Sequence, residues 1–256
     1  TVTVDLGGNI NFQDDQPTFT VGTVADGSIT LTTDDTEAKG LPTDGGATNT
    51  DTASFGAAML AAVSPNYGAD GAGDTSLSDF TLTVNSAISG LKSHGVDINL
   101  FKIGNDVVGS TAAADASDAA KLAAKVFTLS VVANGTGEGD VTLTQYQQID
   151  HASGSDLATL ASSKVSLSAT ATVTDYDQDT APTQTVTVDL GGNINFQDDQ
   201  PTILNVTNLI ASSKAGPLDI GGVFSYAIGA DVNNYPVESD FNSVSLKSGT
   251  VAGMSI

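Results

Sequence analysis

The sequence predicts an all-β protein: an immunoglobulin-like antiparallel β-sandwich, enlarged by insertions, with one or two short helices. Three observations carry that expectation. Apolar residues alternate with Ser, Thr and Lys over long stretches, as at Val165, Leu167, Ala169, Ala171 and Val173, and a period of two lines one face of a strand. Thr, Val and Ile are plentiful, as pleated surfaces prefer. Gly, Asn, Asp and Pro mark turns between the runs.

Taken in order, Val2, Val4, Leu6, Ile10 and Phe12 alternate and predict a half-buried strand. Ser28 to Thr33, Phe80 to Val84, Val96 to Ile103, Val126 to Val132 and Val141 to Tyr146 are further strand candidates, followed by Val165 to Val173. Val186, Val188, Leu190, Ile194 and Phe196 repeat the alternation of the N-terminus, and Val223 to Ile228 is the last candidate. Gly191-Gly192 interrupts its run without changing the phase, which predicts a bulge or a tight hairpin. Two segments depart from the pattern. Ser54 to Val63 (SFGAAMLAAV) reads as a short helix or a loop. So does the alanine-rich Ala112 to Lys125, where Asp comes early and Lys late, as the helix dipole favours.

Domain organisation follows from a repeat. Thr1 to Thr18 reads TVTVDLGGNINFQDDQPT, and Thr185 to Thr202 reads the same without a mismatch. Self-similarity of this kind is the signature of an array of stacked units. The expected layout is therefore Thr1 to Thr18 as the C-terminal strand and junction of a preceding repeat, and Phe19 to Thr202 as a complete module. Ile203 to Ile256 is then the truncated start of a different module, because it does not match the sequence after Thr18.

Composition narrows the function. The chain holds 27 Asp but 3 Glu, 8 Lys, no Arg and no Cys, for a net charge of −22. Such a charge repels itself unless counter-ions bind. It argues against nucleic acid, which needs Lys and Arg on its phosphates, and against an anionic membrane surface. The longest apolar run, Gly56 to Val63, is too short for membrane insertion. Without Cys there is neither a disulfide framework nor a thiolate metal site, and divalent cations are the natural substitute staple.

The sharpest chemical motif is Asp175-Tyr176-Asp177-Gln178-Asp179, between two strong strands. Three carboxylates at i, i+2 and i+4 converge from a turn on a hard cation, and Ca²⁺ takes several oxygen ligands in flexible geometry. The alternative is a solvated hairpin tip. No Lys or Arg lies between Val165 and Ser213 to neutralise these charges, so a cation is favoured. The loop is not an EF-hand, since Thr180 stands at its sixth position and Val186 at its twelfth. A second signal is Asp14-Asp15 and its copy Asp198-Asp199, each ahead of Gln-Pro-Thr. Proline keeps the chain extended there, and an acidic pair at a joint either clamps a cation or forms an ordinary exposed turn. Gly68 to Asp74 (GADGAGD) reads as a flexible turn in preference to a cation loop, and Asp34-Asp35 with Glu37 is weaker still.

Enzymatic signals are poor, and the chain is not expected to be an enzyme. His94 and His151 are the only histidines, and the GxSxG elbow, P-loop and HExxH motifs are missing. There is no Trp, and aromatic residues make up 5%, which weakens a sugar-stacking lectin. Thr-x-Thr stretches such as Thr81-Leu82-Thr83 suggest an ice-binding face, but alternating strands produce them anyway.

The stretch VSLSATATVTDYDQDTAPTQTVTVDLGG followed by INFQDDQPT resembles the repeat (extender) modules of giant RTX-type adhesins exported by type I secretion. GADGAG (Gly68 to Gly73) and DVTLTQYQQIDH (Asp140 to His151) also resemble parts of a longer module type in such proteins. The likeness covers most of Phe19 to Thr202 and is most specific in its C-terminal third. It departs at Gln178, where such modules carry Gly.

The resemblance implies a Ca²⁺-stabilised sandwich on the bacterial cell surface. It would be an extracellular spacer projecting an adhesive tip in adhesion and biofilm formation, with neighbouring repeats of the same polypeptide as partners. Host or biofilm surface ligands would be met through other modules. It also implies Asp175, Asp177 and Asp179 as ligands within the module, and Asp198 and Asp199, with Asp14 and Asp15, as ligands at the joints. Two other readings stay open: a glycan- or protein-binding module using the loop Leu41 to Asn66 or the region after Thr202, and a hydrolase relying on His151.

Overall fold

The computed structural model describes residues 1–34, 49–152 and 155–198, and the backbone of 202–206 and 224–227. The chain forms two compact units, Thr1–Gln200 and Pro201–Ile256.

The first unit is an antiparallel, sandwich-like β structure with two short helices. Its largest sheet has six strands in the order β3 (Thr50–Ser54), β10 (Asp140–Gln145), β9 (Lys125–Val131), β8 (Asp106–Ser110), β7 (Val96–Ile103) and β6 (Ile88–Ser93). Every neighbouring pair is antiparallel. A second sheet sets β12 (Val165–Asp175) between β13 (Gln184–Asp189) and β5 (Ala72–Val84), and β5 packs over β7, β8 and β9. A third sheet sets β14 (Ile194–Gln197) between β11 (Leu157–Thr159) and β2 (Leu31–Asp34), and its β14–β2 pair is parallel. Phe196 of β14 meets Phe127 of β9 with ring centroids 5.0 Å apart, a separation typical of favourable aromatic pairs. One continuous apolar core runs through the unit. A ribbon of β1 (Thr18–Val21) and β4 (Val63–Asn66) buries Phe19 and Val63.

Period-two patterning converts directly into burial. Val165, Leu167, Ala169, Ala171 and Val173 are all buried along β12, and so are Val186 and Val188 on β13 and Ile194 and Phe196 on β14. Gly191-Gly192 keeps that phase, but it forms neither a bulge nor a hairpin. β13 pairs with β12 while β14 pairs with β11 and β2, so the turn Leu190 to Asn193 carries the chain from one sheet to the other. A Cβ at Gly191 would overlap the Ala161 carbonyl, and Gly192 sits at φ +89°, where a side chain is strained.

The two helices are shorter than the patterning suggests. α1 spans Gly56–Ala61 and buries Met59. α2 spans Asp118–Ala123 because Ser117, in an extended conformation, caps it by accepting the Ala120 N–H. Among the described residues no helix is long and apolar enough to cross a membrane.

The N-terminal alternation does not become a half-buried strand. Val2 is 94% exposed and Phe12 95% exposed, and the segment forms only a local turn, with Asn9 N–H donating to Leu6 O at 2.9 Å. A strand exists by pairing, and Thr1 to Gln16 has no pairing strand among the described residues. In the second unit β15 (Thr202–Val206) pairs antiparallel with β16 (Phe224–Ala227), which falls on the last sequence candidate.

Candidate metal centre

β12 runs to Asp175, which is fully buried. The chain then turns tightly. Asp175 N–H donates to Asp179 O at 3.1 Å, Asp179 N–H donates to Asp175 Oδ1 at 2.9 Å, and Thr174 bridges to Thr180. Gln178 stands in this turn at φ +81°, the left-handed conformation that favours glycine. The turn aims Asp175, Asp177 and Asp179 at one point, with a carboxylate oxygen from each within 4.8 Å of the others.

Two further segments reach the same place. The segment Gly68 to Asp74, a turn that runs into the start of β5, lies against it: Tyr176 N–H donates to Gly71 O at 3.2 Å and Asp74 N–H to Thr174 Oγ1 at 3.2 Å. Its glycines permit this approach, since a Cβ at Gly73 would overlap the Asp175 and Thr174 carbonyls. The linker before β1 lies alongside. Asp15 Oδ2 accepts the Ala69 N–H at 3.0 Å, and a Cβ at Gly68 would stand 2.6 Å from that oxygen. Asp14, Asp70 and Asp177 form a second set of oxygens within 4.8 Å of one another. Asp177 belongs to both sets, so five aspartates from three segments crowd together.

The electrostatics record that crowding. The Asp179 carboxyl is pushed up to about 6, first by sharing a hydrogen bond with Asp14 and then by the charges of Asp14, Asp177 and Asp175. Asp14 is held below its ordinary value, chiefly because it accepts from Asp179 and then from the Asp15 N–H. Asp177 is raised by its contact with Asp175, and Asp70 by desolvation and then by the charges of Asp177 and Asp14. Asp175 Oδ2 has no hydrogen-bond donor among the described residues. The Asp177 carboxylate beside it is another acceptor, and the contact becomes a hydrogen bond only when Asp177 takes a proton. A buried acceptor left in that state costs about 1–3 kcal/mol, and more when it is charged.

The seven expected ligands divide. Asp175, Asp177, Asp179 and Asp14 come together, and Asp15 braces the loop beside them. Asp198 goes elsewhere: its Oδ1 lies 3.5 Å from His151 Nδ1, while His151 Nε2 lies 3.0 Å from Phe196 O. Asp199, Asp35 and Glu37 lie outside the described residues, as do residues 41–48 of the expected binding loop Leu41 to Asn66, and the rest of that segment is not a loop but holds β3, α1 and β4. Asp70 is the member of the cluster that the sequence left in an ordinary turn. Its signal was the density of glycine around it, which lets backbone approach backbone.

The sequence model of a Domain of unknown function (DUF5801) matches residues 30–191. The chain belongs to the DUF5801 family. No curated protein and no solved structure matches it. Asp70, Asp175, Asp177 and Asp179 fall inside the DUF5801 span, whereas Asp14 and Asp15 come from the linker ahead of it.

Proposed function

We propose that the chain is a Ca²⁺-stabilised spacer module of an extracellular bacterial adhesin, and that its role is mechanical. The observation that carries this reading is the fully buried Asp175, whose Oδ2 has no hydrogen-bond donor among the described residues and belongs to a cluster of carboxylates drawn from the end of β12 and the turn after it, the turn before β5 and the linker. Such a set suits a hard cation that takes six to eight oxygens, and Ca²⁺ is the commonest fit. No basic residue occurs from Thr1 to Ala38, from Gly40 to Leu91 or from Val165 to Ser213, so the segments that build the cluster bring no cation of their own. A Ca²⁺ ion there links the linker to the sandwich. Repeated along an array, the same link stiffens each joint and holds a distal adhesive domain away from the cell.

Calorimetry and small-angle scattering during a Ca²⁺ titration test this. Sites of this extracellular kind bind at about 10⁻⁴–10⁻³ M, so millimolar Ca²⁺ raises Tm and narrows the intraparticle distance distribution. Asp175→Asn abolishes most of that Ca²⁺-induced rise. A Tm and scattering profile unchanged by Ca²⁺ would remove the basis of the proposal.

A further inference from the structure

β5 is the end strand of its sheet, and the two halves of its free edge differ. The second half is covered by the hairpin that joins β9 to β10: Phe80 N–H donates to Ala133 O at 3.1 Å, and Asp79 N–H to Asn134 Oδ1 at 2.9 Å. The stretch Thr75 to Leu77 pairs with β12 on one side and has no pairing strand on the other among the described residues. It borders instead a cleft of about 290 Å³, which α1 also lines. An edge strand leaves alternate N–H and C=O groups open to another chain.

The cleft joins an apolar lining to one fixed charge. Leu60 of α1, 38% exposed, and the buried Leu77 and Phe80 of β5 supply the apolar part. Glu138, exposed on the β9–β10 hairpin, is the one charged residue lining it among those described. Its backbone is held on both sides: Glu138 N–H donates to Gly135 O at 3.1 Å, and Gly139 O accepts the Phe55 N–H at 3.0 Å. Two glycines permit that approach. A Cβ at Gly56 would stand 2.9 Å from Glu138 O, and one at Gly139, where φ is +78°, would stand 2.8 Å from the Phe80 ring. No Lys, Arg or His occurs from Gly40 to Leu91 or from Val126 to Asp150, the two stretches that line the cleft. Glu138 forms no ion pair among the described residues.

We propose that this cleft binds an extended, basic segment of another protein, added as a strand along Thr75 to Leu77. Backbone pairing supplies affinity, and alternate side chains supply specificity. One apolar side chain rests on Leu60, Leu77 and Phe80, and one Lys or Arg meets Glu138. Charge selects the partner, because an acidic segment meets an unneutralised carboxylate on a chain of net charge −22. Size points the same way. At about 290 Å³ the cleft falls at the bottom of the range for small-molecule pockets, about 300–1,000 Å³, and the open strand edge beside it suits a peptide backbone. The inference stands whether or not a cation fills the aspartate cluster.

Acetylated heptapeptides test this. Alternate positions carry Leu and either Lys or Arg, in every order, with Thr elsewhere, and a control set has Glu in place of the basic residue. Amide NMR spectra of the full chain, recorded in Ca²⁺ and in chelator, follow the titrations. A basic peptide should bind with submillimolar Kd and shift the amides of Thr75 to Leu77 and of α1, with the acidic control about tenfold weaker. Glu138→Gln should weaken the basic peptide about two- to fivefold, as loss of an exposed ion pair does. N-methylation of the peptide amides that face β5 should abolish binding. Ala57 is exposed on α1 within the lining, so Ala57→Trp should fill the cleft and abolish binding while Tm stays within about 2 °C. The proposal is overturned if no basic peptide binds below about 1 mM, or if the shifts centre elsewhere. Equal binding of the acidic control, or affinity indifferent to Ala57→Trp or to N-methylation, overturns it as well.

Discussion

Residues Thr1 to Gln16 and Thr185 to Gln200 have the same sequence, yet where both are described one is an exposed tail and the other is core. Phe12 is 95% exposed and Phe196 is fully buried, although their neighbours along the chain are identical. Local propensity cannot account for the difference. What β13 and β14 have, and Thr1 to Gln16 lacks among the described residues, is a ladder on β12, β11 and β2. Their shared acidic pair diverges as well. Asp14 joins the aspartate cluster, whereas Asp198 faces His151.

The largest expected effect separates the copies by stability. Phe196→Ala should destabilise the protein by about 3–5 kcal/mol, the usual range for deleting a buried Phe. Phe12→Ala should stay within about 0.5 kcal/mol, as surface changes do. Urea unfolding of the two variants checks the contrast, and equal losses would break it. Next comes the acidic pair. Asp14→Asn should weaken Ca²⁺ binding about tenfold, since ligand charge count tunes such sites over decades, whereas Asp198→Asn should leave it unchanged. Isothermal titration calorimetry reads both, and the reverse order would mean that the cluster is wrongly assigned.

A third effect concerns protons. The folded-state value of Asp179 is raised to about 6 from 3.8, so between those values the folded state binds more protons than the unfolded chain. Metal-free stability should then rise as pH falls from 7 towards 5, because protonation relieves carboxylate repulsion. The lowered value of Asp14 acts oppositely, but below its ordinary value and so outside that window. Saturating Ca²⁺ should flatten the rise, and Ca²⁺ affinity should itself fall through pH 6. Tm measured against pH with chelator and with Ca²⁺ checks the sign. The smallest effect is local. Gln178→Gly relieves a left-handed residue at φ +81° and should stabilise the turn by about 0.5–1 kcal/mol after the entropy of glycine is subtracted. Thermal unfolding of that variant reads the change.

Patterning made much of this fold legible. β7 falls on Val96–Ile103 and β12 covers Val165–Asp175, because long alternating runs carry their own burial. Short or polar strands were invisible. β3 (TDTAS), β6 (ISGLKS) and β8 (DVVGS) owe their state to neighbours in the six-stranded sheet. The first half of β5, with Gly73 and Asp74, read as a turn from its glycines and aspartates, and it is a strand because it pairs with the end of β12. At the site, the spacing of Asp175, Asp177 and Asp179 was readable as a local turn. The arrival of Asp14 and Asp70 was not, since tertiary packing brings together residues distant in sequence.

The most direct test is an anomalous difference map from a crystal of this chain grown in millimolar Ca²⁺. The account predicts a peak about 2.3–2.6 Å from carboxylate oxygens of Asp175, Asp177 and Asp179, with Asp14 or Asp70 completing the shell. A clear map with water alone beside Asp175 Oδ2 would contradict it.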